Sequence, residues 1–361
     1  MDAEWRESRL KPVSSAESLE DLQALSLEFR LQVGSRRGAP FRLKAVLRLS
    51  RDISKGSMEE RTPTLVLEHV NKSFGKFKAV DDLSITARPG RVFGLIGPNG
   101  AGKTTTIRMI VNISVPDSGH IELFGQRMHT ALQDRIGYLP EERGLYPKMK
   151  IGEQLKFFAE LKNLDSRKSD QSIDGWLKKF QLSDWKEKRA KELSKGMQQK
   201  VQFIAAVVHD PDLVILDEPF SGLDPVNVEL MKEVIVEQKT TGKTIILSTH
   251  QMDIAEQLCD DICMIHKAQK VLDGRLRKIR SSFGRHAVSL RFEGGDGVLD
   301  DQTLVAQVKH KSDEIEVLLA PEAQAQLLLR RLVDSGATVT KFEMVEPSLH
   351  DIFLEKVREH Q

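Results

Sequence analysis

The chain has 361 residues, with 54 Lys+Arg against 53 Asp+Glu, a formal net charge of +1 and two cysteines. At roughly 150 residues per domain this length suggests about two domains, and the near-neutral charge offers neither the bulk basicity of a nucleic-acid binder nor the acidic excess of a solvating tail. A composition of 40% hydrophobic and 30% charged residues fits a soluble globular protein and argues against disorder. The longest apolar runs, such as Phe203 to Val208, fall far short of the roughly 20 residues a bilayer span needs.

Residues 1–57 differ from the rest and read as an N-terminal extension: a poorly ordered tail, or a mis-assigned start ahead of Met58. Within it, seven basic residues between Arg36 and Lys55 face a single acid, Asp52, so Phe41 to Ile53 could also form a basic amphipathic helix. From Thr64 the pattern becomes globular. Leu65 to Val70 alternates loosely as a strand, and Val92 to Ile96 is a short apolar strand running into glycine. Helical patterns occupy about Ile151 to Gln202, and Leu213 to Leu216 and Thr244 to Ser248 read as further buried strands. Short apolar strands between helical segments predict an α/β core around a largely parallel sheet. Beyond residue 285 a second unit is expected: strands at Ala287 to Phe292, Glu314 to Leu319 and Thr338 to Phe342, with helices at 321–333 and 348–357. Cys259 and Cys263 stand close together without a second pair or a histidine cluster, so they read as small buried hydrophobes, and no disulfide framework is expected.

Gly97-Pro98-Asn99-Gly100-Ala101-Gly102-Lys103-Thr104 matches G-x-x-x-x-G-K-[ST] at every fixed position, after a strand and before a helical pattern beginning at Thr105. Such a loop wraps backbone N–H groups and a helix N-terminus around phosphates. Lys103 supplies a point charge to the β- and γ-phosphates, and Thr104 a hydroxyl to Mg²⁺. Leu213 to Leu216 runs into Asp217 and Glu218, and a buried strand ends in two acids at a cost unless a cation or a reaction uses them. Asp217 is assigned to magnesium, and Glu218 to the attacking water as general base.

Three further stretches accompany these: Leu193-Ser194-Lys195-Gly196-Met197-Gln198-Gln199, then Ser221-Gly222-Leu223-Asp224 after Glu218, and Thr249-His250 at the end of a strand. In this order and spacing, over about Thr64 to Gly274, the chain resembles the nucleotide-binding subunits of ABC transporters. The resemblance implies a P-loop NTPase fold with a parallel-sheet core, an antiparallel β subdomain and a helical subdomain at about 142–205. The ATP-binding domain would span 64–284, followed by a small α+β domain at 285–361.

It also implies a head-to-tail dimer, with each ATP between the phosphate loop of one copy and residues 193–198 of the other. Ser194 and the Gly196 backbone would reach the γ-phosphate, Asp224 would link the two sites, and His250 would steady Glu218. Phe74, before Gly75, matches the aromatic residue that stacks on adenine. The pattern departs from the family at Lys195 and Met197, and at Glu141, which stands where a lid glutamine meets magnesium. Residues 143–147 would face the membrane subunit. Glu346 to Glu355 resembles the end of an accessory domain on export ATPases, including sodium-efflux and drug-export subunits. The expectation is therefore an exporter ATPase at the cytoplasmic face of the membrane, using ATP and Mg²⁺ with a separately encoded multi-span permease. A soluble ABC-type ATPase, for example in cluster assembly, is the alternative.

Overall fold

The structure, a computed structural model, describes residues 62–142, 144–283, 287–310, 314–320 and 323–359. The expectations for residues 1–57, and for Arg143 in the membrane-facing segment, lie outside these residues.

The chain begins with an antiparallel hairpin, β1 (Leu65–Phe74) and β2 (Phe77–Ala87), followed by β3 (Val92–Ile96) and α1 (Lys103–Ile110). Strands β4 (Ser118–Leu123) and β5 (Gln126–Arg127) complete a four-stranded sheet in the order β2-β1-β4-β5. After β6 (Ile136–Leu139) come the helices α2 (Ile151–Leu161), α3 (Ser166–Lys179) and α4 (Lys195–Val207). The core then closes with β7 (Leu213–Asp217), α5 (Pro225–Thr240), β8 (Thr244–Thr249), α6 (Met252–Leu258), β9 (Asp261–His266), β10 (Gln269–Arg275) and α7 (Leu276–Ser282). Six of these strands form the central sheet in the order β10-β9-β3-β8-β7-β6, parallel except at β10.

The strict alternation of a strand divides this sheet between two cores. Val92, Ile96, Val214, Leu216, Ile245 and Leu247 face the helices, while Phe93, Leu95, Leu213, Ile215 and Ile246 face α1 and the antiparallel sheet. Both faces are covered, which is why these strands read as unbroken apolar runs. The phosphate loop and Asp217 both sit at carboxyl ends of parallel strands, where ligands gather in open α/β sheets. Cys259 and Cys263 are free thiols inside this core, and burial pushes both well above the ordinary thiol value.

The C-terminal unit holds β11 (Ala287–Glu293), β12 (Val305–His310), β13 (Ile315–Leu319), α8 (Ala325–Asp334), β14 (Thr338–Val345) and α9 (Leu349–Glu359). Its sheet is antiparallel in the order β12-β13-β11-β14. Val288, Leu290, Val317 and Leu319 pack against Leu328 and Leu332 of α8 in a core of their own. Strand β12 was not foreseen: its register shifts between Val305 and Gln307, which breaks the apolar alternation at a sheet edge. Helix α9 leaves this unit, since Leu349 and Ile352 are buried in the main core.

Candidate nucleotide site

The loop from Gly97 to Thr104 joins β3 to α1, and its glycines answer to close contacts. A Cβ on Gly97 would lie 2.2 Å from Ile265 O, and one on Gly102, at φ 113°, 2.3 Å from Ala79 O. No side chain caps the N-terminus of α1, so its first N–H groups and its dipole are free to face an anion. Pro98, Asn99 and Gly100 are exposed at the loop's crest, Ala101 is buried beneath it, and Thr104 and Thr105 are half-buried.

Lys103 is buried and its ammonium donates to Gly97 O at 2.8 Å and Pro98 O at 3.2 Å, 3.8 Å from Glu218. Burial pulls its pKa below the ordinary lysine value, opposed by the charges of Glu218, Asp217 and Glu141. One concavity is lined by Lys103, Thr104, Thr105, Asn99 and Gly100 from the loop together with Glu141 and Glu218. The structure therefore brings Glu141 to the phosphate loop. Phe77, 62% exposed, lines the same concavity, and Phe74, its partner across the hairpin, is 56% exposed with Lys72 5.5 Å from its ring. Phe77 is a residue the sequence reading missed. Its signal was its place opposite Phe74 in a two-residue turn.

Asp217 is fully buried, and neither carboxylate oxygen has a hydrogen bond of good geometry. Burial raises its pKa, and the nearby Ser248 and Thr104 hydroxyls only partly oppose the shift. A buried pair of unshared oxygens beside a threonine hydroxyl fits a hard cation. Magnesium takes one or two such ligands plus waters and phosphates in place of an all-protein cage.

Glu218 follows at φ 50°, a left-handed conformation that costs about 1–3 kcal/mol in a non-glycine residue. Its backbone is pinned by an N–H bond to Ser248 O at 3.0 Å. Its carboxylate accepts from the His250 backbone N–H at 3.0 Å, from His250 Nδ1 at 2.9 Å and from the Thr249 hydroxyl at 3.2 Å. With a carboxylate opposite, Nδ1 carries the proton, so the imidazole is oriented through Glu218. These bonds aim a carboxylate into a phosphate-binding concavity, the placement a general base for water requires. Thr249 is a second contact for which the sequence offered no separate role.

The 193–199 stretch opens α4. Ser194 caps the helix by accepting from Met197 N–H at 3.3 Å, with Ser194 and Lys195 exposed. Leu193 is buried, and Met197 packs on the core. Gln198 donates to Ala190 O and Leu193 O, both at 3.1 Å, and Gln199 to Pro219 O at 3.1 Å. The last bond ties this helix to the segment carrying Glu218. A Cβ on Gly196 would lie 3.7 Å from Gly222 O and 3.6 Å from Leu223, so this helix start abuts the 221–224 loop of its own chain. Ser221 and Gly222 are exposed, and Asp224 caps α5 by accepting from Asn227 N–H at 3.0 Å, which lowers its pKa. None of residues 193–198 lines the concavity of the phosphate loop.

The geometry is that of a phosphate loop flanked by a buried carboxylate, Asp217, and a hydrogen-bonded one, Glu218. The description "ABC transporter" matches residues 80–221, and "ATP-binding protein DrrA1-3-like, C-terminal domain" matches residues 274–357. An ABC transporter ATP-binding protein of Bacillus subtilis (strain 168), YhaQ, is 45% identical over 293 residues, covering 81% of this chain and 98% of the relative. The Nod factor export ATP-binding protein I of Ralstonia nicotianae is 36% identical, covering 59% of this chain and 68% of the relative. A solved ATP-binding subunit of an ABC transporter superposes with a TM-score of 0.58 at 32% identity, covering 62% of this chain and 94% of that one. The chain belongs to the ATP-binding proteins of ABC transporters. It is an ATPase that binds ATP with Mg²⁺.

Proposed function

We propose that this subunit powers export through a separate multi-span permease, and that two copies close head-to-tail over ATP. Lys103 and the loop N–H groups hold the phosphates, and Thr104 and Asp217 take the magnesium, with Glu141 beside them. Glu218, steadied by His250, polarises the attacking water. Catalysis is mostly positioning and charge stabilisation, since phosphoryl transfer asks little covalent chemistry of the protein. Residues 193–198 of one copy complete the site of the other, and Asp224 lies at that junction. Phe74 or Phe77 offers the adenine platform.

One observation carries the permease: an apolar cleft of about 390 Å³ beside the Glu141 segment, lined by Ile113, Tyr138, Leu145, Phe158 and Leu161 among others. Ile113 is 65% and Leu161 60% exposed. An apolar patch of this kind on a protein surface marks an interaction site. Among the described residues no helix is long and apolar enough to cross a membrane, so transport needs a partner that spans it. The Nod factor export relative favours efflux. The subunit then sits at the cytoplasmic face of the membrane, held there by the permease.

The test is purification from solubilised membranes. Co-elution of one multi-span protein is expected, and Leu161→Asp should release the subunit while leaving its basal ATPase intact. A subunit without such a partner, or one whose membrane recovery is untouched by Leu161→Asp, would contradict the proposal.

A further inference from the structure

Helix α9 ends the described chain, and it buries its apolar face in the main core while staying in contact with the accessory sheet. Leu349 and Ile352 are fully buried in the main hydrophobic core, and Phe353 packs against the same cluster. The Leu349 N–H, first of the helix, donates to the Glu256 carboxylate on α6. Helix α6 starts at Met252, two residues after His250. At seven residues it is too short to hold its own orientation, so tertiary contacts must set it. His250 is joined to this helix through Gln251 alone, and its side chain, 48% exposed, meets Glu218 at 2.9 Å.

The same helix touches a second segment, the one that leads into a turn beside the phosphate loop. The Phe353 ring meets His266 edge-on, with centroids 5.9 Å apart and planes at 76°. His266 ends β9 and leads into the turn at Lys267 and Ala268. Ala268 N–H donates to Ala101 O at 3.1 Å, and Ala268 O accepts from Asp81 N–H at 2.9 Å. This turn therefore props the phosphate loop. On its other side α9 is tied to the accessory sheet by Lys309 and Asp351 at 2.7 Å. Asp351 also accepts from the Ser348 hydroxyl, which fixes the helix start.

We infer that α9 is a brace for the catalytic centre, with Glu256 and Phe353 as its positioning residues. Glu256 seats α9 on α6 and so holds His250 against Glu218. Phe353 seats it on His266 and so holds the phosphate loop. The accessory domain thereby reaches hydrolysis through its last helix. Errors of about 1 Å in a catalytic group cost up to about a hundredfold in rate, so a loosened α6 is felt in kcat.

This inference rests on the reading of His250 and Glu218 as the hydrolytic pair, and the experiment separates the two. Steady-state ATPase is measured on the full chain for wild type, Glu256→Ala, Glu256→Gln, His250→Ala and the double variant Glu256→Ala/His250→Ala. Glu256→Ala should lower kcat about 5–20-fold with the ATP KM within about twofold. Glu256→Gln, which keeps an acceptor for the Leu349 N–H, should restore most of the rate. In the His250→Ala background Glu256→Ala should cost nothing further, because a residue that acts through His250 loses its effect with it.

An unchanged kcat in Glu256→Ala, or the same fold-loss in both backgrounds, overturns the inference. A wild-type rate in His250→Ala overturns instead the underlying reading of the pair. Phe353→Leu carries the test where Glu256→Ala does not fold. The ATP KM should then rise about 3–10-fold with kcat nearly unchanged, and an unchanged KM overturns the brace.

Discussion

Asp217 is a stability liability kept for function, and Asp217→Asn exposes the trade. The carboxylate is fully buried, with both oxygens lacking a hydrogen bond of good geometry. A buried polar group left unsatisfied costs about 1–3 kcal/mol, more when charged. Asparagine preserves the shape and removes the charge, and Lys103 keeps Glu218 at 3.8 Å as its counter-charge. Recovering about 1–2 kcal/mol should raise Tm by about 1–3 °C for a chain of this size.

The pH dependence fixes the sign. Burial raises the Asp217 pKa above its ordinary 3.8, so the native state binds more protons than the unfolded state between the two values. Wild-type stability therefore falls as pH rises through that window, while the amide is indifferent. The advantage of Asp217→Asn should be full above the raised native-state pKa and vanish as pH falls through the ordinary 3.8. Scanning calorimetry in EDTA, across a pH series, measures it. Mg²⁺-dependent ATPase should be lost in the same variant. A Tm that falls at pH 7.5, or a gain that grows in acid, would refute the argument that Asp217 carries an under-compensated buried charge.

Gly97→Ala should weaken ATP binding at least about tenfold and lower Tm by several degrees, because its Cβ would lie 2.2 Å from Ile265 O; unchanged ATP titration would contradict the close approach. Both cysteines should stay unreactive to an aromatic disulfide reagent in the native state and titrate as two thiols in guanidinium, since Cys259 and Cys263 are buried with raised pKa values. Rapid native labelling would show that the core around these two thiols opens. Asp224→Ala should lower the denaturant midpoint through the lost α5 cap, in unfolding without nucleotide. No change would mean the cap bond is idle.

The parts legible in the sequence are those where chemistry constrains residue type at short range. The phosphate loop could be read because its glycines answer to backbone contacts at Ile265 and Ala79. Asp217 and Glu218 could be read because apolar strand residues lead straight into them. The central strands were legible as apolar runs because cores cover both their faces.

Long-range placement was not legible. Residue type alone does not mark Phe77 as a lining residue; the hairpin register that sets it across from Phe74 does. The destination of α9 was hidden too, because the amphipathic pattern of Leu349, Ile352 and Phe353 says that a face is buried without saying against what. Strand β12 escaped because its register shift and edge position dissolve the alternation.

The most direct measurement is single-turnover hydrolysis by Glu218→Gln, with ATP binding followed in parallel. The amide keeps the shape and can still meet His250, but it cannot take a proton from water. Hydrolysis should fall at least about a hundredfold while ATP affinity stays near wild type. Hydrolysis within about threefold of wild type, with binding intact, would contradict the assignment of Glu218 as the base.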